Sequence, residues 1–341
     1  MKRINSLNEL RGLSAVLVVL SHIPCTNVLL GVNPGGFAVS PFYLLGGFLT
    51  VMSSERSTEF FLRKRILKLL PLYWIMTFIA FAAALVRPGF FHTATPTLLN
   101  LIRFLFFIPY QNPNGMVRPL LDVGWYLNVE VLYYLLFWIS MKISFRYRTA
   151  ICSCIQLLAF ALGQILFVDY PFYVLYMSGL LMTSMGMLIY EIYRHISARA
   201  NTNPDSKTAV CNIIAYGSMI CGALLFCYLR EFSPVVAQIV PLGVFLLFLA
   251  GDRYMYATRA IQFTGMVSLS LYLSHEFVVK GVSRILFSLD ELTPASALVS
   301  GVCLAVTVAV AYVVWFVIEN KLTSRLISAV LKKQTNGGYT K

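Results

Sequence analysis

Ser6-Leu7-Asn8-Glu9-Leu10-Arg11-Gly12-Leu13-Ser14-Ala15-Val16-Leu17-Val18-Val19-Leu20-Ser21-His22-Ile23 opens the first apolar segment of the chain and carries Arg11 and His22 eleven positions apart. At about 100° per residue, eleven steps make three helical turns plus roughly 20°, so both side chains leave one face of a helix, about 16 Å apart along its axis. Between them stand only Gly, Leu, Ser, Ala and Val. A guanidinium within a spanning helix costs about 2.5–3.5 kcal/mol on insertion scales, which makes chance a poor explanation for Arg11. An Arg near one mouth and a His further along the same stripe imply a polar path into a membrane, with a base part-way along it.

Composition supports the membrane setting. The chain has 341 residues, of which 58% are hydrophobic and 12% charged, and its mean hydropathy is +0.75. Soluble domains carry about twice that share of charge. A helix that crosses a bilayer needs about 20 apolar residues. Ten segments qualify: 7–29, 35–53, 69–87, 124–141, 150–168, 172–191, 209–229, 234–250, 261–287 and 295–318. The expected fold is all-α, a polytopic integral membrane protein of about ten transmembrane helices. Residues 1–330 form one transmembrane domain and residues 331–341 a short basic cytoplasmic tail.

The net charge of +13 suggests nucleic acid until the charges are placed. With the N-terminus inside and ten spans threaded, 21 of the 27 basic residues fall on the inner side, Arg63, Lys64, Arg65 and Lys68 among them. The other six, Arg87, Arg103, Arg118, Arg230, Lys280 and Arg284, fall on the outer side. That asymmetry follows the positive-inside rule, and the reverse threading violates it. Both termini are therefore expected in the cytoplasm, and no nucleic-acid partner is expected.

The first segment is not read as a cleaved signal. Arg11 interrupts its apolar core, and Ile23-Pro24-Cys25-Thr26 is not a small-residue cleavage site. The seven cysteines lie in or beside apolar segments without a CxxC pair, so they read as small hydrophobes, and no metal site is expected. The longest stretches between spans are an outer loop around 88–123, which includes a hairpin-like apolar piece, Leu98–Ile108, and an inner loop around 192–208.

Of fourteen acidic residues, Glu130 and Glu276 fall clearly inside spans. Glu130 lies about six residues below the outer end of its span, roughly 9 Å deep. His22 is expected at a similar depth, which would let Glu130 fix the imidazole tautomer. His275 and Glu276 add a second polar pair near the middle of the ninth span. Ionisable groups at such depths normally face the bundle interior and pair with one another.

These residues carry a resemblance. Leu10-Arg11-Gly12 with the Arg-x10-His spacing resembles the signature of acyltransferase family 3, membrane enzymes that O-acetylate bacterial surface glycans. Phe42-Tyr43-Leu44-Leu45-Gly46-Gly47-Phe48 is similar to the family's aromatic-x-x-x-Ser-Gly-Phe segment. Phe61–Trp74, with Arg63-Lys64-Arg65 and Pro71-Leu72-Tyr73-Trp74, is similar to its basic stretch ending in Pro-x-Tyr-Trp. Trp125-x4-Glu130-x2-Tyr133-Tyr134, Ser270–His275 and Trp315–Glu319 resemble its later blocks. The chain departs at Gly46, where the family often has Ser, at Val131, where it has a second acid, and at Ser274, where it often has Trp.

The resemblance implies a membrane O-acyltransferase of the bacterial inner membrane. Its donor would be cytoplasmic acetyl-coenzyme A, and its acceptor a surface glycan, lipopolysaccharide O-antigen first, with capsule or exopolysaccharide as the alternatives. His22 would be the base, since imidazole titrates nearest neutrality, with Arg11 and Glu130 as its catalytic companions. Arg63, Lys64, Arg65 and Lys68 would hold the polyanionic donor. His275, Tyr133 and Trp125 would lie along the substrate path. A multi-span transporter or flippase for a glycan or small anionic solute is the competing reading. It would show repeated halves more often, and no internal repeat is visible.

Overall fold

The computed structural model describes residues 4–23, 33–55, 60–87, 95–108, 119–166, 171–199, 208–285 and 294–337. Among them there are helices and no strands. In chain order they are α1 (Asn5–Ser21), α2 (Gly35–Ser54), α3 (Phe61–Val86), α4 (Leu98–Leu105), α5 (Trp125–Ile143), α6 (Arg148–Leu166) and α7 (Pro171–Arg199). There follow α8 (Ala209–Phe232), α9 (Pro234–Ala237), α10 (Ile239–Gly251), α11 (Arg259–Met266), α12 (Ser268–Ile285), α13 (Pro294–Val314) and α14 (Ser324–Gly337). A 3-10 turn, Asp122–Gly124, precedes α5, and a π-helical stretch, Trp315–Thr323, joins α13 to α14.

Helix occupies each of the ten apolar segments read from the sequence. Among the described residues, five stretches are both long and apolar enough to cross a membrane: Gly35–Ser54, Phe61–Val86, Ala209–Phe232, Pro234–Gly251 and Leu298–Val330. Large apolar side chains stay exposed on the outer faces, Phe78, Ile79 and Leu85 on α3 and Ile213, Ile220 and Leu224 on α8. In water such a surface would be a liability; against lipid it is the expected exterior. The protein is a helical membrane protein.

Helix α2 lies at the centre, in contact with α1, α7, α8 and α10. Its closest partner is α7, and glycine makes that approach possible. A β-carbon on Gly47 would stand 2.0 Å from the Thr183 carbonyl oxygen, and one on Gly186 would stand 2.1 Å from that of Leu44. Small residues let two helix backbones touch, which is how membrane helices gain packing without a hydrophobic drive between them.

Helix α1 packs on α11, α2 and α12. Gly12 and Gly265 supply the first contact, since a β-carbon on Gly12 would stand 2.6 Å from the Ile261 carbonyl oxygen and one on Gly265 would stand 2.2 Å from that of Asn8. The Asn8 amide donates to both the backbone oxygen of Gln262, at 2.9 Å, and its side-chain oxygen, at 2.7 Å. Asp252 accepts from the Ser6 amide at 2.9 Å, satisfying one of the free N–H groups at the start of α1. Glu9, only 1% exposed, accepts from the Thr258 amide and the Tyr216 hydroxyl.

Three expectations change. The first segment was read as helical to residue 29, but α1 ends at Ser21 and His22 is its C-cap. Pro24 explains the early stop, because the residue before a proline is pushed out of the helical region. Residues 24–29 of that reading lie outside the described residues. The apolar piece Leu98–Ile108 is not a hairpin but the helix α4, capped by Thr97, whose side chain accepts from the Asn100 amide. Its end is held by Tyr73, donating to the Phe104 carbonyl at 2.9 Å, and by Trp74, donating to that of Leu105 at 3.0 Å. The Pro-x-Tyr-Trp motif thus satisfies helix-end carbonyls. The expected inner loop around 192–208 is shorter, because α7 continues to Arg199. Of the tail at 331–341, α14 covers the part to Gly337, and 338–341 lie outside the described residues.

The Gly47 contact is testable. Gly47→Ala should lower the thermal midpoint of the detergent-solubilised protein by several degrees, the consequence of about 1–3 kcal/mol of overpacking. Gly243→Ala, with nothing within 4 Å of its new β-carbon, should leave that midpoint unchanged.

Candidate active site

Two cavities flank a layer of aromatic rings. The smaller one, about 110 Å³ and named inner after the topology expected from the charges, is lined by Arg11 from α1, Gly46 and Leu49 from α2, and Arg65 and Lys68 from α3. Helix α5 adds Tyr126, Glu130 and Tyr134, and Glu319 comes from the π-helical stretch. Tyr126, Glu130 and Tyr134 are four apart, which aligns them on one face of α5. Arg65 and Lys68 are three apart and share a face of α3, whereas Arg63 and Lys64 are rotated off it by the 100° step. Helical phase therefore divides the expected donor-binding run. Arg65 and Lys68 face the cavity, Arg63 is exposed elsewhere, and the Lys64 ammonium lies 6.0 Å from the centre of the Phe60 ring.

The inner charges are held unequally. Arg65 donates to the Leu49 carbonyl at 2.8 Å and the Ser53 hydroxyl at 2.6 Å, and it lies over the Tyr134 ring at 5.2 Å. Glu130 accepts from the Tyr134 hydroxyl at 2.6 Å and from that of Tyr133 at 3.5 Å. Glu319 accepts from Ser270 at 2.5 Å. No hydrogen bond among the described residues engages the Arg11 guanidinium or the Lys68 ammonium. These two cations therefore retain their donors for an anionic ligand.

The outer cavity is larger, about 590 Å³, and holds His22. Around it stand Asn33 and Ser40, Tyr43 from α2, Asp122 and Val123 from the 3-10 turn, Trp125, Arg230 from α8, and Gln238. The His22 Nδ1 lies 2.8 Å from the Val18 carbonyl oxygen. A carbonyl only accepts, so Nδ1 carries the hydrogen and Nε2 keeps its lone pair, the form that a general base requires. Behind it lies His275, wholly buried, its ring centre 4.7 Å from that of His22 and inclined by 68°. Its Nδ1 lies 3.2 Å from the Leu271 carbonyl, and its Nε2 is buried with no hydrogen-bond partner among the described residues. Glu276 forms an ion pair with Lys280 at 2.5 Å.

The arrangement corrects one expected pairing. Glu130 lines the inner cavity and His22 the outer one, so the backbone carbonyl of Val18, not Glu130, sets the imidazole tautomer. Depth counted along two separate helices carried no information about which cavity each side chain enters, and the early end of α1 put His22 nearer the surface than assumed. Trp125 lies on the outer cavity. His275 and Tyr133 line neither cavity and pack behind His22 and Glu130.

Sequence reasoning missed Tyr272, which lines both cavities, as well as Glu319, Asp122 and Arg230. Tyr272 and Glu319 fell inside the quoted blocks Ser270–His275 and Trp315–Glu319 without being singled out, and Asp122 and Arg230 showed only as ionisable side chains near the ends of apolar segments. Gly46 also gains a reason: a β-carbon there would stand 2.3 Å from the Tyr133 hydroxyl oxygen, which fills the space that the family's serine would take.

Residues 4–314 match the family described as an acyltransferase domain, and the chain belongs to that family, acyltransferase family 3. It is thus a membrane acyltransferase. The exopolysaccharide production protein ExoZ of Rhizobium meliloti (strain 1021) is 26% identical over 286 residues, covering 80% of this chain and 86% of that protein. No solved structure matches.

Gly46 and Tyr133 should behave as a coupled pair. Gly46→Ser alone should destabilise the protein, and adding Tyr133→Phe should restore much of the loss, because the removed hydroxyl vacates the contested space. Thermal midpoints of the two single variants and the double variant measure the coupling. Additive midpoints would contradict the contact.

Proposed function

We propose that this protein transfers an acetyl group from cytoplasmic acetyl-coenzyme A to a hydroxyl of a bacterial surface glycan, from its place in the inner membrane with both termini in the cytoplasm. The observation that carries this reading is the placement of Arg11 and His22 on one helix, the first in a cation-lined cavity and the second in a separate cavity. The donor's phosphates would meet Arg11, Lys68 and Arg65, and its flexible arm has to cover the roughly 16 Å of α1 that separates the two residues. The acceptor hydroxyl would enter beside His22, with Trp125 offering a flat apolar surface to a sugar ring.

The chemistry balances without a metal. His22 Nε2 takes the hydroxyl proton as the oxygen attacks the thioester carbonyl carbon, the carbon–sulfur bond breaks, and the imidazolium returns the proton to the departing thiolate. Glu130 would serve the donor side, since it accepts from the Tyr134 hydroxyl and the Tyr134 ring lies under Arg65. The relative's name concerns exopolysaccharide production, which favours exopolysaccharide as the acceptor ahead of capsule and lipopolysaccharide O-antigen.

His22→Ala should reduce the acetyl content of purified surface polysaccharide at least 10²-fold, the usual contribution of a positioned base, with unchanged protein in the membrane fraction. Lys68→Ala should instead raise KM for acetyl-coenzyme A about tenfold, the loss of one charge-assisted contact. Near-normal acetylation in the His22 variant would favour the transport reading.

A further inference from the structure

The wall between the two cavities is built from four aromatic side chains. Phe42 and Tyr43 come from α2, Tyr126 from α5 and Tyr272 from α12. Their ring centres lie 6.0 Å apart for Phe42–Tyr126, 6.4 Å for Phe42–Tyr272, 4.7 Å for Tyr43–Tyr126 and 5.6 Å for Tyr126–Tyr272. Phe42 and Tyr126 face the inner cavity, Tyr43 faces the outer one, and Tyr272 faces both. Tyr43 is wedged against α7, since a β-carbon on Gly179 would stand 2.8 Å from its ring. Of the described residues that line the two cavities, Tyr272 alone faces both.

Tyr272 is also tied to the acceptor side. Its hydroxyl donates to the backbone carbonyl of Val123. Val123 belongs to the Asp122–Gly124 turn, and both Asp122 and Val123 line the outer cavity. A ligand that settles against this turn therefore presses on the residue that holds the wall closed.

We propose that Tyr272 is an acceptor-sensed partition: it separates the donor thioester from His22 until a glycan occupies the outer cavity and displaces the Val123 carbonyl. This extends the proposed acyl transfer and rests on that reading. The chemical need is clear. Water competes with a sugar hydroxyl for the same base, and if it reaches the thioester its oxygen bonds to the acetyl carbon, the carbon–sulfur bond breaks, and acetate and free coenzyme A result. A wall that opens only with the acceptor in place suppresses that loss. Tyr272 here is a positioning residue; it does not supply or accept the transferred proton.

The test uses the full-length protein in lipid vesicles with radiolabelled acetyl-coenzyme A and no glycan, measuring release of acetate. Tyr272→Phe keeps the ring and removes the hydroxyl that bonds the Val123 carbonyl. It should raise acceptor-free hydrolysis about fivefold over wild type, the population change that loss of one hydrogen bond allows. Adding His22→Ala should return hydrolysis to background, because the leak uses the same base. Tyr272→Ala, if it inserts, should leak more and accept propionyl-coenzyme A as a donor for surface polysaccharide in cells. Equal hydrolysis by wild type and Tyr272→Phe overturns the partition, as does a leak that survives His22→Ala. Failure of the underlying reading would look different: wild-type cells would show no His22-dependent acetylation of polysaccharide, and the partition would fall with it.

Discussion

Asn8 clamps α1 to α11 through the two oxygens of Gln262, at a point where Gly12 and Gly265 let the backbones touch. The rest of the site depends on that contact, because α1 alone delivers Arg11 to one cavity and His22 to the other. A rotation of α1 by one residue would turn both side chains by about 100° and carry Arg11 and His22 away from their cavities. The motif Leu10-Arg11-Gly12 is therefore two devices in adjacent positions: Leu10 and Gly12 are buried in packing contacts, and Arg11 between them is directed into the cavity.

The separation of charge follows the same logic. Cations gather at the inner cavity, where the guanidinium of Arg65 is fixed by Leu49, Ser53 and Tyr134 while Arg11 and Lys68 are not engaged by hydrogen bonds among the described residues. Fixed dipoles and ions in a partly dry site act more strongly than in water, so a few well-placed cations suffice for a polyanion. The imidazole lies apart from them, with its tautomer set by a main-chain carbonyl. This division sets the imidazole apart from the three cations of the inner cavity.

Much of the fold was legible in the sequence, and the reasons are physical. Apolar runs of about 20 residues read as buried helices or spans, and each such run holds helix, whereas the short helix at Leu98–Leu105 was too brief to show in that pattern. Arg11 and His22 stood out because charge inside such a run is costly. Phase along α3 was also calculable, yet which face of Arg63-Lys64-Arg65 met the cavity depended on where α3 packs, which is a tertiary fact. The end of α1 hinged on Pro24. The packing of His22 on His275, and the place of Tyr272 between two cavities, depend on contacts between helices distant in the chain, and neither periodicity nor composition records them.

The central claim of the proposed mechanism is that the two cavities open to opposite sides of the membrane. Single cysteines placed at Asn33 and Lys68 in a cysteine-free background, probed with a membrane-impermeant maleimide, test it most directly. The account predicts that position 33 is labelled in cells whose outer membrane has been permeabilised, and that position 68 is labelled only in inverted membrane vesicles. Labelling of both positions from the same side would contradict it.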